Sequence, residues 1–115
     1  MSLKLNSREV KDIVIIDVSG RLMMGESVSQ IRDEIHDQSG QGARKILLNL
    51  AEVTYIDSAG LGELTASYTS MKNRGGQLKL LSLTKRVHDL MQITKLYTVF
   101  DVYDDEKTAL ASFGS

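Results

Sequence analysis

The stretch Tyr55-Ile56-Asp57-Ser58-Ala59-Gly60-Leu61-Gly62 sets a small hydroxyl residue where an apolar strand gives way to a helix. Before it, Lys45-Ile46-Leu47-Leu48-Asn49-Leu50 reads as a buried strand. After it, Leu61, Leu64, Tyr68 and Met71 recur at three- and four-residue spacing, the stripe of an amphipathic helix. Ser58 therefore falls at or beside the helix N-cap. There the first backbone N–H groups lack intrahelical partners and the macrodipole is positive, so an anion carried by Ser58 is accommodated locally.

Outward from this junction the chain alternates in character. Leu3 to Glu9 and Asp12 to Ser19 read as an antiparallel pair of strands, the second rich in β-branched residues. Val28, Ile31 and Ile35 mark the inward face of a first helix from about Glu26 to Gln38, ended by Gly40-Gln41-Gly42. A strand from Arg44 to Leu50 follows, then the helix that begins near Ser58 and stops before Gly75-Gly76. Gln77 to Leu81 is a strand; Thr84 caps a third helix with Val87, Leu90 and Met91 inward; Val99 to Tyr103 is a short last strand. Asp104 and Asp105 open a final helix with Ala109, Leu110 and Phe113 inward. The fold expected is α/β: one mixed sheet, antiparallel at its start and parallel later, with right-handed crossovers and about four helices. The strand through Leu47 to Leu50 is expected at its centre, presenting Asp57 and Ser58 at the rim.

Composition narrows the function. The 115 residues suit a single domain spanning 1–115, with 42% hydrophobic and 25% charged residues, ordinary values for a globular chain. Having no cysteine excludes disulfides, thiolate metal sites and cysteine nucleophiles. Fourteen basic against fifteen acidic residues give a net charge of -1, which disfavours nucleic acid and anionic membrane as partners. Met1 to Asn6 shows no signal-peptide core and no segment is long enough to cross a bilayer, so a cytoplasmic location is expected.

The run Asp57-Ser58-Ala59-Gly60-Leu61-Gly62, with Leu48-Asn49-Leu50 before it and Gly75-Gly76 ahead of an apolar strand, resembles the signature of STAS domains, specifically the bacterial anti-sigma-factor antagonists. The resemblance covers nearly the whole chain. It implies that Ser58 is phosphorylated by an ATP-using anti-sigma factor that is itself a serine kinase, and that a serine phosphatase reverses this. The unphosphorylated form would capture the anti-sigma factor and free the sigma factor. It further implies a partner-binding surface of Asp57, Ala59, Gly60, Leu61 and Gly62, with a second portion in Gly20-Arg21-Leu22-Met23-Met24-Gly25-Glu26. The chain would then be a kinase substrate and not an enzyme, without cofactor or metal, and a monomer or weak dimer.

Each of these residues also has a plainer reading. Ser58 as a simple cap contributes about 1 kcal/mol, and Asp57 is an alternative cap or an orienter of the Ser58 hydroxyl. Gly60 and Gly62 allow close backbone packing, and Leu61 is either core or an apolar contact beside the serine, with partial exposure the preferred reading. Where many phosphorylated antagonists carry an acidic residue after Gly-x-Leu, this chain has Met23. Met23 and Met24 either pack into a partner groove or fill gaps in the core. His36 and His88 stand alone and suit surface or packing roles, and Lys72, Arg74, Lys79, Lys85 and Arg86 read as surface charge without an aromatic platform. The alternatives to a phosphorylated antagonist are a constitutive STAS subunit of a transport or signalling assembly, and hydrolysis with Ser58 as nucleophile. The last is disfavoured because no glycine stands two residues before Ser58, as the nucleophile elbow requires.

Overall fold

Residues 3–114 are described by the computed structural model. Met1 and Ser2, the first residues of the stretch read as lacking a signal-peptide core, and Ser115 lie outside the described residues. In chain order the elements are β1 (Lys4–Val10), β2 (Ile13–Leu22), α1 (Glu26–Gly40), β3 (Lys45–Ile56), α2 (Ser58–Asn73), β4 (Gln77–Leu81), α3 (Lys85–Thr94), a 3-10 turn (Leu96–Thr98), β5 (Val102–Tyr103) and α4 (Glu106–Ser112). β1 pairs antiparallel with β2, and the pairs β2–β3, β3–β4 and β4–β5 are parallel. The spatial order is β1-β2-β3-β4-β5, so β3 is the middle strand, as its apolar run predicts.

Parallel neighbours require a crossover, and here each is a helix. The side chains of α1, α2 and α3 all pack on one face. Ile16, Leu48 and Leu80 from the sheet meet Ile31 and Ile35, Leu61, Leu64 and Met71, and Val87 and Met91 there. Because successive side chains alternate across a strand, Ile15 and Leu47 point to the opposite face, where Ala109 of α4 and Phe113 just past its end cover them. Two covered faces explain why the strands read as continuous apolar runs rather than alternating ones. Each fully buried Leu or Ile contributes about 1.5–3 kcal/mol.

The mixed sheet and four helices match the expectation, with local corrections. β3 extends to Ile56 instead of stopping at Leu50, because its second half continues the ladder with the end of β2, Gly20 opposite Val53 and Leu22 opposite Ile56. The buried face of α1 is Ser27, Ile31, Ile35 and Ser39, whereas Val28 is half-buried. The Ser27 hydroxyl is satisfied inside: it donates to Met23 O at 2.7 Å and accepts from Met23 N at 2.9 Å. β5 is only Val102–Tyr103, since Leu96–Thr98 takes a 3-10 turn that helps bring Phe100 into the core. Lys79 is not surface charge. It is buried in β4, donates to Ser112 O and Oγ at 2.9 and 3.1 Å, and lies 4.9 Å from the Phe113 ring centroid, tethering α4. Arg8 makes a similar tether from β1, bonding Asp17 of β2 and Glu106 of α4.

Candidate functional site

The strand-to-helix junction forms where β3 runs out of partners. Asp57 N still donates to Leu22 O at 3.3 Å, and Leu61 N then donates to Asp57 O at 3.0 Å, the first helical bond of α2. Asp57, with extended backbone, is the N-cap: its Oδ1 accepts from Gly60 N at 2.9 Å. Ser58 is thus the first helical residue and not the cap, and it is exposed. Of the amides at this helix end, that of Gly60 is already engaged by the Asp57 carboxylate.

The same carboxylate reaches across to the neighbouring segment. Asp57 Oδ2 accepts from Met24 N at 3.0 Å, so one side chain ties the β2–α1 loop to the start of α2. Gly25, at φ +109, turns the chain into α1 just beyond. Met24 is 75% exposed and Met23 half-buried, which removes core gap-filling as the role of Met24. The two segments that the resemblance implies are therefore physically joined, with Ser58 and Met24 both presented outward.

Other expected contact residues divide by orientation. Gly62 is exposed and Ala59 half-buried. Leu61, expected to be partly exposed, is 1% exposed, because the helical stripe that begins with it faces the sheet. Gly60 is buried as well: a Cβ there would sit 2.3 Å from Leu22 O, so glycine is what lets the first turn of α2 lie against the end of β2. Leu61 and Gly60 shape the surface from beneath and present no side chain to a partner.

Partial burial, the largest single influence, pushes the Asp57 carboxyl up, but hydrogen bonds from Met24, Gly60 and Ala59 N–H outweigh it. The net pKa lies below the usual carboxylate value. A depressed folded-state pKa adds stability that is fully present above the unfolded value of about 3.9 and is lost as pH falls through the folded one. Replacing Asp57 with Asn keeps a capping oxygen but removes the charge and one acceptor. Asp57→Asn should cost about 1 kcal/mol at pH 7 and approach wild type below roughly pH 3, as read by urea denaturation at both pH values.

One feature of the rim escapes the sequence. Arg21, opposite Tyr55 in the β2–β3 ladder, places its guanidinium carbon 5.1 Å from the Tyr55 ring centroid, and Arg86 at the start of α3 does so at 4.5 Å. The expected lack of an aromatic platform near Arg86 is thereby corrected. The signal was the pairing of Arg21 with Tyr55, which becomes visible only once β3 is known to continue past Leu50. Away from the rim, a groove of about 400 Å³ between α1 and α2 is lined by Arg32, Glu63, Ser67 and Arg74. Its polar walls are satisfied internally, Glu63 by Arg32 and Ser67, and Arg74 by Ser39.

No helix of the described residues is long and apolar enough to cross a membrane. Residues 4–109 match the STAS domain family model. The anti-sigma F factor antagonist of Paenibacillus polymyxa is 26% identical over 96% of this chain and 94% of its own. The anti-sigma-B factor antagonist of Bacillus subtilis is 28% identical over 89% and 92%. Among solved structures, the Bacillus cell fate determinant SpoIIAA in its phosphorylated form superposes with a TM-score of 0.71 at 23% identity, covering 96% of this chain and 97% of that one. With the sheet order, the Asp57 cap and the exposed Ser58 in place, the chain belongs to the STAS domain family.

Proposed function

We propose that this chain is an anti-sigma-factor antagonist whose unmodified Ser58 surface captures an anti-sigma factor and whose phosphorylation at Ser58 releases it. The observation that carries the reading is the exposed Ser58 hydroxyl at the first position of α2, held beside exposed Met24 by the Asp57 bridge. Relatives similar over nearly their whole length are named for this activity, and one structural neighbour is described in a phosphorylated form. The captured protein is an ATP-using serine kinase in this scheme, and a serine phosphatase restores the binding form.

Phosphate chemistry at this position follows from the local electrostatics. The modification adds about 1.5 to 2 negative charges and three acceptor oxygens, next to the positive end of α2. The Asp57 carboxylate already holds Gly60 N–H and Met24 N–H, so the new charge repels the very group that joins the two surface segments. Phosphorylation therefore acts on the docking surface in two ways: bulk and charge at Ser58, and pressure on the tie to Met24.

Incubation with ATP and the anti-sigma factor recovered from the native host, followed by peptide mass spectrometry, should place one phosphate on Ser58 and none on the Ser58→Ala protein. Stable capture of that factor with no transfer to Ser58 would replace this scheme with a constitutive interaction subunit.

A further inference from the structure

Among the described residues, neither Arg21 nor Arg86 makes a side-chain hydrogen bond or ion pair; both lie over the Tyr55 ring. Both guanidinium carbons lie within 5.1 Å of one ring centroid, so they are no more than about 10 Å from each other. Both arginines are exposed. Among the described residues no carboxylate lies within ion-pair distance of either, although six other lysine or arginine ion pairs are formed. Two acidic groups nearby in sequence are engaged elsewhere, Asp57 by Met24 and Gly60 N–H and Asp89 by Lys85, the neighbour of Arg86, while Glu26 and Glu52 are exposed and pair with neither arginine. A chain of net charge -1 has thus gathered two like charges and left them uncompensated. Cation–π contact with Tyr55 offsets part of their repulsion and also holds the planar groups in place.

This cluster continues the Ser58 surface. Arg21 and Tyr55 directly precede Leu22 and Ile56, whose ladder pairing leads into the Asp57 N–H bond to Leu22 O. The rim therefore runs from Arg86 through Tyr55 and Arg21 to Asp57, Ser58 and Met24. Preorganised guanidiniums beside a docking surface suit planar, bidentate recognition of carboxylates.

Resting on the functional reading above, we propose that Arg21 and Arg86, stacked over Tyr55, form a carboxylate-binding anchor that takes an acidic segment of the anti-sigma factor captured through Ser58. The anchor supplies the electrostatic half of the interface, steering approach and fixing orientation, while Ser58 acts as the gate. The repulsion between the two arginines that Tyr55 leaves is relieved when the acidic segment binds, so the contribution of that segment appears in the complex and not in the fold.

The test uses the full chain and the purified anti-sigma factor that wild type, but not Ser58→Asp, recovers from the native host. Affinity is measured by titration calorimetry for wild type, Arg21→Gln/Arg86→Gln, Arg21→Lys/Arg86→Lys and Ser58→Asp, at low and high salt. The glutamine pair should bind roughly 10- to 50-fold more weakly at low salt, with the gap closing as ionic strength rises. The lysine pair should recover only part of the loss, since it keeps charge without the planar fork. Circular dichroism should show all variants folded, because both side chains are exposed. Binding by the glutamine pair within twofold of wild type, with Ser58→Asp still defective, overturns the anchor and leaves the Ser58 reading standing. Failure to find any Ser58-sensitive anti-sigma factor overturns both. Wild-type binding to phosphatidylglycerol vesicles or duplex DNA that the glutamine pair loses, with anti-sigma factor affinity unmoved, assigns the cluster to another ligand and also overturns the proposal.

Discussion

Gly60→Ala should destabilise the chain by roughly 3 kcal/mol, the upper part of the usual range for overpacking, and lower Tm by on the order of 10 °C. The added methyl would stand 2.3 Å from Leu22 O and 2.9 Å from Leu22 Cγ. The first obstacle is backbone, held in the β2–β3 ladder, so no rotamer change relieves it. Either α2 lifts from the end of β2 or Leu22, itself fully buried, is displaced. Both movements disturb the Asp57 bridge, because Gly60 N is one of the donors to that carboxylate. Gly62, two residues on, is the control: a Cβ there meets nothing within 4 Å. Gly62→Ala removes the entropic penalty of a helical glycine and should stabilise by about 0.5–1 kcal/mol. Thermal melts of the two variants with opposite signs would establish that one glycine serves packing and the other does not; a neutral Gly60→Ala would mean that α2 does not sit this close to β2.

The contrast between these glycines shows where sequence reading stops. The apolar run locates β4 and the Thr84 cap locates the start of α3 to the residue, and the run through Leu47 and Leu48 places β3 at the middle of the sheet. Such signals work because they reflect burial averaged over several side chains. The second half of β3 was missed for the same reason. Ala51, Glu52 and Thr54 face outward, and what keeps this segment extended is the backbone ladder to β2, which leaves no trace in composition. At the site, Ser58 and Asp57 were legible from the junction, yet their division of labour was not. A cap and its neighbour exchange roles with a shift of one residue, and only the hydrogen bond from Gly60 N fixes Asp57 as the cap. Leu61 illustrates the opposite error. Proximity to Ser58 suggests exposure, but the helical stripe to which it belongs turns it to the core. Lys79 is a buried cation whose partners, Ser112 and two aromatic rings, come from β5 and α4 and their surroundings, so its environment exists only in three dimensions.

Ser58→Asp should leave the fold intact and abolish capture of the anti-sigma factor, with affinity reduced by roughly 100-fold or more. Two opposing terms set the small effect on stability. A carboxylate in the first turn of α2 gains about 0.3–1 kcal/mol from the helix dipole, and repulsion from the Asp57 carboxylate next to it takes back a similar amount. Ser58 is exposed, so no desolvation is added, and Tm should move by no more than about 3 °C. At the interface neither compensation survives. A surface that closes over a small hydroxyl must desolvate a charge, leave it unpaired, and accept a strained tie between Asp57 and Met24. Ser58→Ala separates charge from the mere loss of the hydroxyl: it should bind within a few-fold of wild type and remain insensitive to ATP, since one lost hydrogen bond costs only about 0.5–1.5 kcal/mol. Calorimetric titration of the three proteins, paired with melts of each, distinguishes a switch in binding from a switch in folding. An Asp variant that binds like wild type would sink the gate at Ser58, and one that loses binding by unfolding would show that the charge acts through the Asp57 cap instead.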